Sequence, residues 1–448
     1  MNSDNKFNKL KMLFVQPSHL KEDGTVWKSK LPWLPRLALP QLAAITPDDF
    51  ETTIVDEYIE DIDFNADVDS VAITATTVQA PRAYQIAKEF IKRGKKTIMG
   101  GIHASLLPEE SQKHVDSVVI GEAEGVWEEV LADLKHRNLK PVYLSRGHMD
   151  ITHIPSPKLS KLPLHKYKVD FKLVQTTRGC PHNCGYCSVT KFFGSTYRHR
   201  SIEDVVRELE EIASEDIFFV DDNIAANPER AKALFKAITP LKKSWISQCC
   251  MHIAYNEELL ELARESGCVN LMIGFESLSE GSLKSVNKSF NKVDDYFYVA
   301  EKLHSKGISV MGLMVFGFDY ADETIFEKTV KFMDDAKIDF PCYWVLTPYP
   351  KTPLYQQLES EGRIFERDWS KYDCTHVVFK PKLMTSEVLE NGYYYACKSS
   401  YSVNSIIKRL TPSSLRMAKS LIDGFPARAM VTYLFRQGAL KGYHPMMG

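Results

Sequence analysis

Long apolar runs, a charge excess of either sign and early cysteines are all missing from this sequence. No run reaches the roughly 18 apolar residues of a membrane-spanning helix, and the polar N-terminus MNSDNKFNKLK lacks the apolar core of a signal peptide. Lysine and arginine number 56 and aspartate and glutamate 58, and the net charge of −2 disfavours a nucleic-acid partner. We therefore predict a soluble cytoplasmic protein, and its 44% hydrophobic content predicts folded domains instead of disorder.

The nine cysteines are unevenly placed, because none occurs before residue 180. An odd number with such clustering is a poor match to the disulfide framework of a secreted protein. Three of them, Cys180, Cys184 and Cys187, fall in the segment CPHNCGYC. This clustering predicts a metal site in a protein of a reducing compartment.

Residues 1–137 alternate short apolar runs with amphipathic stretches. Continuous apolar strands separated by helices indicate a parallel sheet that is covered on both faces. The fold class that follows is α/β, with an N-terminal doubly wound, Rossmann-like domain. The predicted strands are Met12–Val15, Thr53–Val55, Ser70–Ile73, Thr97–Met99 and Ser117–Ile120.

A second alternation of strands and helices begins after a proline-rich segment. Residues 138–168 include the sequence HIPSPKLSKLP and are predicted to form a linker. Residues 169–365 contain six strand–helix units. They predict a partial (β/α)6 barrel of the TIM type, whose site residues should follow the carboxyl ends of the strands. The predicted strands are Lys172–Gln175, Ile217–Val220, Trp245–Gln248, Asn270–Ile273, Ser309–Val315 and Tyr343–Leu346.

Residues 366–448 are predicted to form a mainly helical and basic C-terminal extension. Residues 404–448 contain one acid, Asp423, among interleaved apolar and basic side chains. Two interpretations remain open: a helical cap with a solvated basic face, or a peripheral contact with anionic lipid of the kind that basic amphipathic helices make. The basic residues are Lys408, Arg409, Arg416, Lys419, Arg428, Arg436 and Lys441.

The cysteine segment follows the first predicted barrel strand. Thiolates are soft ligands that suit zinc or iron–sulfur clusters. Three thiolates on a [4Fe–4S] cluster leave one iron open to a substrate or cofactor. The alternative is a structural zinc ion with a distant fourth ligand. The candidates for that ligand are His182, His199 and Cys249.

The spacing C-x3-C-x2-C, with the aromatic Tyr186 before the last cysteine, resembles the signature of the radical S-adenosylmethionine (SAM) enzymes. The resemblance implies that Cys180, Cys184 and Cys187 bind the cluster and that the open iron chelates the amino and carboxylate groups of SAM. It also implies that Tyr186 packs near the adenine. An electron from the cluster, supplied by a flavodoxin- or ferredoxin-type donor, would cleave SAM to a 5′-deoxyadenosyl radical that abstracts hydrogen from the substrate.

Acidic residues at later strand ends extend this resemblance. Asp221 and Asp222 follow the second barrel strand, where the family has a Gly-Gly-Glu-like motif that holds the SAM amino group. Glu276 follows the fourth strand, where the family contacts the ribose or methionyl end of SAM. A carboxylate can accept hydrogen bonds from either partner, so the residue types suit these roles.

Two further segments match the family along the barrel. Gly312 and Gly317 on the fifth strand would let the backbone approach adenine closely. Residues 347–353, TPYPKTP, resemble the family's Thr-Pro-x-Pro-Gly-Thr-Pro turn, with Lys351 in place of glycine. Each of these could instead be an ordinary strand-end turn.

The N-terminal domain resembles the cobalamin-binding module that is fused to one branch of these enzymes. The likeness rests on the turns G-G-x-H and G-E-x-E, and it lacks the Asp-x-His-x-x-Gly motif that supplies a lower cobalt ligand. Bound cobalamin would then have an unligated lower face, and His103 could equally be a turn residue. The residues predicted to contact cobalamin are Thr74, Gly100, Gly101, His103, Gly121 and Glu122.

These resemblances imply a cobalamin-dependent radical SAM methyltransferase that acts on an unactivated carbon of a lipid or natural product. The tail also resembles hopanoid-methylase-like, lipid-modifying members. One SAM would supply the methyl group through cobalamin, and a second would supply the radical. The alternative is a radical cyclisation, rearrangement or carbon–carbon coupling, with or without bound cobalamin. No catalytic residue can be named from the sequence.

Overall fold

The computed structural model describes residues 9–29, 32, 34–168, 171–410, 432–433 and 435–439. The chain divides into two compact units. The first unit contains residues 1–150 and 154–169, and the second contains residues 151–153 and 170–448.

The first unit is built on a parallel sheet whose described strands have the order β2-β1-β3-β4-β5-β6. Neighbouring strands are in register over apolar stretches, as in the pairing of Val15 with Ile73. The strands are β1 (Leu10–Gln16), β2 (Phe50–Asp56), β3 (Ser70–Thr74), β4 (Lys96–Gly100), β5 (Ser117–Ile120) and β6 (Val142–Leu144).

Helices cover both faces of this sheet, because the strands bury apolar side chains on each side. One core gathers Phe14 and Trp127, and the other gathers Val15 and Phe90. This arrangement confirms the predicted doubly wound domain. The helices are α1 (Ala38–Ala44), α2 (Ala80–Lys92), α3 (Ile102–Leu106), α4 (Pro108–Ser111) and α5 (Trp127–Lys135).

The segment predicted as a linker packs onto the first unit. Strand β6 lies within it and pairs with β5, and the buried Tyr143 donates a hydrogen bond to Asp133 at 2.8 Å. Further along, the Tyr167 hydroxyl donates to the Asp56 carboxylate at 2.7 Å. The short apolar pieces of this segment contribute to the sheet and the core.

The second unit contains a parallel sheet in which the described strands follow one another in the order β7-β10-β11-β12-β13-β14. Strands β8 and β9 form a separate antiparallel pair. The sequential order and the helices between strands confirm the predicted partial barrel. The strands are β7 (Lys172–Val174), β8 (Thr177–Arg178), β9 (Arg198–His199), β10 (Asp216–Phe219), β11 (Ser244–Cys249), β12 (Cys268–Glu276), β13 (Ser309–Phe316) and β14 (Phe340–Val345).

Polar caps define where several helices of this unit begin. Ser201 accepts a hydrogen bond from the backbone of Asp204 at 3.1 Å, at the spacing of an N-terminal cap. The helices are α6 (Ser188–Phe193), α7 (Ile202–Glu211), α8 (Pro228–Ile238), α9 (Glu257–Glu265), α10 (Glu280–Ser285), α11 (Tyr296–Ser305), α12 (Ile325–Asp335), α13 (Pro353–Ser360), α14 (Ser386–Ser400) and α15 (Val403–Leu410).

The described part of the C-terminal extension packs on the outside of the second sheet. Gly392 of α14 allows close contact with α12, since a β-carbon there would lie 2.2 Å from the Phe326 ring. Arg409 of α15 is buried and forms an ion pair with Asp334 at 3.2 Å, so it does not belong to a solvated basic face. Arg416, Lys419, Arg428 and Lys441 lie outside the described residues. None of the described helices is long and apolar enough to span a membrane.

Candidate active site

The three clustered cysteines lie in the connection from β8 to α6, shortly after the first barrel strand, as the sequence predicts. Gly179 opens this connection with φ of 84°, a conformation that favours glycine. A β-carbon at this position would lie 2.5 Å from the Thr196 carbonyl oxygen. The turn that starts the cysteine loop, residues 180–187, therefore requires glycine.

The cysteine sulfurs lie within electrostatic reach of one another. Burial raises the pKa of the Cys184 thiol to about 12, with smaller increases from Cys187 and Cys180 and an opposing effect of Lys288. Burial also raises the pKa of Cys180, and the charges of Cys187 and Asp222 add to this shift. Such thiols ionise readily when a metal binds them.

The donor set fits an iron–sulfur cluster. Three soft sulfur ligands in one loop can each bind a separate iron of a cubane. Among the residues that the structure describes, no group of three His, Cys, Asp or Glu side chains surrounds a single metal-ion position. The proposed zinc ligands have other surroundings: His182 stacks on Phe290 with ring centroids 4.0 Å apart, and the Cys249 thiol donates to the Cys250 carbonyl at 3.3 Å.

Two later segments hold the cysteine loop in place. The Gly185 backbone N–H donates to the Val286 carbonyl at 2.8 Å, and the Gly185 carbonyl accepts from the Leu354 N–H at 3.0 Å. Leu354 lies in the first turn of α13, after the TPYPKTP turn. Lys351 in that turn has φ of 63°, which explains why a glycine suits the position in similar proteins.

The two adjacent aspartates after β10 have different surroundings. Asp221 is fully buried and accepts hydrogen bonds from the Thr176 backbone at 2.7 Å, the Thr176 hydroxyl at 2.5 Å and the Thr177 backbone at 3.0 Å. It therefore fixes the turn between β7 and β8. Asp222 accepts one hydrogen bond, from the Gly179 N–H at 3.2 Å, and has no ion-pair partner in the described part of the chain.

Asp222 is therefore the aspartate that can receive a cationic ligand. Burial raises its pKa to about 6, and the neighbouring Asp221 charge adds to the shift. A buried carboxylate without a cation is costly, and an ammonium group would relieve that cost. The side chain of the next residue, Asn223, accepts from the Cys250 N–H at 3.2 Å, and its buried amide nitrogen has no partner among the described residues.

Glu276 lies at the end of β12 in a strained conformation. Its φ is 68°, in the left-handed region, and the pairing of β12 with β13 shifts register between Gly274 and Glu276. The carboxylate forms an ion pair with Lys288 at 2.5 Å. Tyr186 is half-buried; burial of its hydroxyl raises the pKa, and the nearby charge of Glu276 raises it further. The structure thus brings Tyr186 and Glu276 together, as expected for one site.

Sequence reasoning missed the residues that hold this strand end. The Asn291 amide donates to the carbonyls of Gly274 at 2.8 Å and Phe275 at 3.2 Å, and the Tyr296 hydroxyl donates to Phe275 at 2.6 Å. Lys288 and Asn291 lie in the irregular segment after α10, and Tyr296 is the first residue of α11. Neither periodicity nor motif spacing marks them.

The two glycines predicted to approach adenine have close packing neighbours in the structure. A β-carbon at Gly312 would lie 2.9 Å from Ile338, and one at Gly317 would lie 2.9 Å from Leu389 of α14. Gly317 also has φ of 107°. Both positions thus need glycine for internal packing, which gives a physical reason for these residues other than close approach of a nucleotide.

In the first unit, the predicted glycines lie at the carboxyl ends of the strands. Gly101, after β4, has φ of 92°, and a β-carbon there would lie 2.8 Å from the Thr74 hydroxyl at the end of β3. Gly121, after β5, has φ of 85° and receives support from Ser105, whose hydroxyl oxygen accepts its N–H at 2.9 Å. Gly100 ends β4 and has only ordinary contacts on its side-chain face.

Two of the three polar residues predicted for cobalamin contact are buried, His103 and Glu122. His103 is fully buried, and its Nε2 lies 3.0 Å from the Tyr84 hydroxyl of α2 and 3.4 Å from the Glu110 carboxylate of α4. Glu122 is also buried and lies 3.4 Å from the Met149 N–H, which donates to it. His103 therefore takes part in helix packing, which fits a cobalamin site whose lower cobalt face has no histidine.

The strand order of the first unit provides a place for a large cofactor. The chain crosses from β1 to β2 on one side and to β3 on the other, so a switch point lies between the carboxyl ends of β1 and β3. Doubly wound sheets bind ligands at such points. Thr74, Gly100 and Gly101 lie at or next to this edge.

Three family models match consecutive parts of the chain. The model of the B12 binding domain matches residues 36–131, and that of the Radical SAM superfamily matches residues 174–333, which include the cysteine loop and Glu276. A domain of unknown function, DUF4070, matches residues 352–444.

Two methyltransferases from Chlorobaculum tepidum are similar along most of the chain. Bacteriochlorophyllide d C-12(1)-methyltransferase is 33% identical over 416 residues, which cover 89% of this chain and 89% of the relative. Bacteriochlorophyllide d C-8(2)-methyltransferase is 30% identical over 384 residues, which cover 79% of this chain and 84% of the relative.

Among solved structures, the radical S-adenosylmethionine methyltransferase TsrM from Kitasatospora setae, with cobalamin and a [4Fe-4S] cluster bound, has a TM-score of 0.66 and 14% identity. The match covers 96% of this chain and 99% of that chain. At this identity the likeness bears on the fold, and it agrees with the two parallel sheets described above.

Proposed function

The chain belongs to the radical SAM enzymes that carry a cobalamin-binding domain, and from this premise we propose that it methylates an unactivated carbon of a large, mostly apolar organic molecule. The cofactors of this family are a [4Fe–4S] cluster, SAM and cobalamin. The observation that carries the proposal is the 33% identity to a methyltransferase across 89% of both chains.

Cys180, Cys184 and Cys187 would hold the cluster, which when bound supplies the electron that cleaves SAM. Asp222 would accept the ammonium group of SAM, because its buried carboxylate has no cationic partner among the described residues. Glu276 would accept hydrogen bonds from the ribose or methionyl end. Both carboxylates stand at strand ends on the side of the cysteine loop, which supports their assignment to one ligand.

Cobalamin would bind to the first unit, residues 1–137 together with the packed segment 138–168. Thr74, Gly100, Gly101 and Gly121 are the proposed contacts, since they lie at the carboxyl ends of the strands. Glu122 and His103 would stabilise the turns after β5 and β4 from within the first unit. The chain's contribution is to orient the cofactor and exclude water, because the transfer chemistry belongs to cobalamin itself.

The substrate we propose first is a tetrapyrrole macrocycle. Two similar methyltransferases are named for bacteriochlorophyllide d, at 33% and 30% identity. A lipid or another natural product is the second candidate class. Either would leave few polar groups for recognition, which agrees with the absence of a substrate motif in the sequence.

The test uses SAM that carries a deuterated methyl group. The anaerobically reconstituted protein is incubated with a reductant and with either a bacteriochlorophyllide or a hopanoid-type lipid, and products are analysed by mass spectrometry. Transfer of the labelled methyl group to carbon of either substrate would support the proposal and name the class. Substrate consumption with 5′-deoxyadenosine but no label in the product would instead indicate cyclisation or coupling.

We also propose two partners. A flavodoxin- or ferredoxin-type protein would supply electrons, which is tested by replacing dithionite with such a protein and its reductase. Residues 404–448 would contact anionic membranes, and the exposed Ile407 and Lys408 of α15 support this contact whereas the buried Arg409 does not. Flotation with anionic vesicles should be weaker without residues 404–448, and equal flotation of both proteins would contradict the membrane contact.

A further inference from the structure

We propose that Lys288 is a positioning residue of the cluster site, whose ammonium group holds the Glu276 carboxylate and raises the reduction potential of the cluster bound by the three cysteines. The inference rests on the cluster and on no step of methyl transfer. Lys288 has no counterpart among the motifs that identify this family in the sequence.

The Lys288–Glu276 ion pair fills the space that the missing side chain of Gly274 leaves. The two charged groups are 2.5 Å apart, and their side chains are only 11% and 10% exposed. A β-carbon at Gly274 would lie 2.4 Å from the Glu276 carboxylate oxygen and 3.0 Å from the Lys288 ammonium nitrogen. The glycine two residues before Glu276 is therefore what admits the ion pair.

The backbone at this place is held in a conformation that it would not otherwise adopt. Glu276 has φ of 68°, and a non-glycine residue in the left-handed region costs on the order of 1 kcal/mol. Asn291 and Tyr296 bind the carbonyl groups of the two preceding residues, Gly274 and Phe275, and so stabilise the bend. Strain that neighbours maintain in this way is typical of functional sites.

The segment that carries Lys288 also contacts the cysteine loop. Val286 accepts the Gly185 N–H at 2.8 Å, and the Phe290 ring stacks on His182 between the first two cysteines, with centroids 4.0 Å apart. The Lys288 ammonium lies 6.0 Å from the Phe290 centroid. The electrostatic neighbours of Lys288 are Glu276 and the sulfurs of Cys184 and Cys187.

A buried positive charge at this position favours the reduced cluster. Reduction adds one negative charge to the cluster, and a nearby cation stabilises that charge more strongly in the protein interior than in water. Glu276 partly offsets the effect because its carboxylate has the opposite sign. Removal of either member of the pair should therefore shift the potential, and the two shifts should have opposite signs.

The experiment measures the cluster potential in the full-length holoenzyme by a redox titration that follows the EPR signal of the reduced cluster, without substrate. Lys288→Met removes the charge and keeps an unbranched side chain. We expect about a tenfold lower ratio of reduced to oxidised cluster at a given potential, a shift of about 59 mV for one electron. Lys288→Arg keeps the charge and should lie within about threefold of the wild type.

Glu276→Gln removes the opposite charge of the pair and should raise the reduction potential of the cluster. The double variant Lys288→Met, Glu276→Gln should have a potential near that of the wild type. A wild-type potential in Lys288→Met, or a lowered one in Glu276→Gln, would overturn the proposal. If Lys288→Met alone does not retain iron, the direction of the Glu276→Gln shift decides. The outcome can be read even if the enzyme proves not to transfer methyl groups, because no methyl acceptor is present.

Discussion

Each of the two units contains a parallel sheet, but the strands follow one another in a different order in the two sheets. In the first, the strand order reverses at β1, so a switch point forms between the ends of β1 and β3. In the second, the six strands of the sheet lie side by side in the order of the sequence. The loops that follow these strands therefore succeed one another along one edge. The first arrangement provides one crevice for a large ligand, and the second brings side chains from several loops to a common mouth.

The two units also differ in how the carboxylates near their strand ends are neutralised. In the first unit, Glu57 after β2 is buried against Arg82, whose guanidinium binds its carboxylate at 2.6 and 3.1 Å. In the second unit, Asp222 is half-buried and has no cationic partner among the described residues, and burial raises the pKa of Cys184. The buried Glu57 carboxylate is thus neutralised within the first unit, whereas the second unit contains groups that suit a metal or a cationic ligand.

The comparison would break most clearly if the cysteine loop were dispensable. Cys184→Ala should abolish cluster binding and the formation of 5′-deoxyadenosine, because it removes one of three sulfur ligands. The measurements are iron content, the visible spectrum and product analysis after addition of SAM and dithionite. Cys268→Ala is the matched control, since Cys268 is buried at the opposite end of β12 and should keep its iron. Full iron content in Cys184→Ala would contradict the site.

The internal pairing of the first unit can be tested through its stability. Arg82→Met should lower the free energy of unfolding of this unit by about 3 to 5 kcal/mol, because it leaves the buried Glu57 carboxylate with the Ser18 N–H but without a cationic partner. Denaturant unfolding followed by circular dichroism measures the change. Lys92→Met removes a more exposed ion pair with Glu89 and should cost less than about 1 kcal/mol. Equal stability of the two variants would contradict the role of the buried pair.

The unpaired aspartate of the second unit should matter for ligand binding and little for stability. Asp222→Asn should weaken SAM binding by about 10- to 100-fold, the effect of losing a charged hydrogen-bond partner. Isothermal titration calorimetry on the cluster-containing protein measures this affinity. Asp216→Asn, at the exposed start of β10, serves as control and should bind SAM as the wild type does. Unchanged affinity in Asp222→Asn would remove this residue from the site.

A smaller effect concerns the pH dependence of the first unit. Burial raises the pKa of Asp56 above its ordinary value of 3.8, although Arg36 and the Tyr167 hydroxyl oppose the shift. The protonated form therefore stabilises the fold below pH 3.8, and this stabilisation is lost as the pH rises through the folded-state pKa. Asp56→Asn should gain stability relative to the wild type as the pH rises, by less than about 2 kcal/mol. Parallel stability curves would contradict the assignment.

Local patterns predict much of both sheets and of the cysteine loop. Apolar strands, helix caps such as Ser201 and the spacing of Cys180, Cys184 and Cys187 all depend on residues close together in sequence. The strand β6 is not predicted from the sequence, because it is short and lies in a proline-rich segment. For Gly312 and Gly317, the sequence shows that a glycine is present but not which side chains pack against it, and their approach to adenine stays a prediction.

Contacts between distant segments could not be predicted in this way. Lys288 reaches Glu276 only because β12 bends at Gly274 and the following segment folds back over the cysteine loop. His103 reaches Tyr84 because α2 packs beside the turn after β4. Such contacts depend on the path of the whole backbone. The identity of a single lysine or histidine in the sequence does not indicate which distant residue it contacts.

The central claim, that one chain uses a cluster in its second unit and cobalamin in its first, is tested most directly by cofactor loading. The wild-type protein is reconstituted anaerobically with iron, sulfide and hydroxocobalamin, freed of unbound cofactor, and mixed with SAM and dithionite. We predict iron for one full cluster, retained corrin, and both 5′-deoxyadenosine and S-adenosylhomocysteine as products. A full cluster and 5′-deoxyadenosine, with neither retained corrin nor S-adenosylhomocysteine, would contradict the claim.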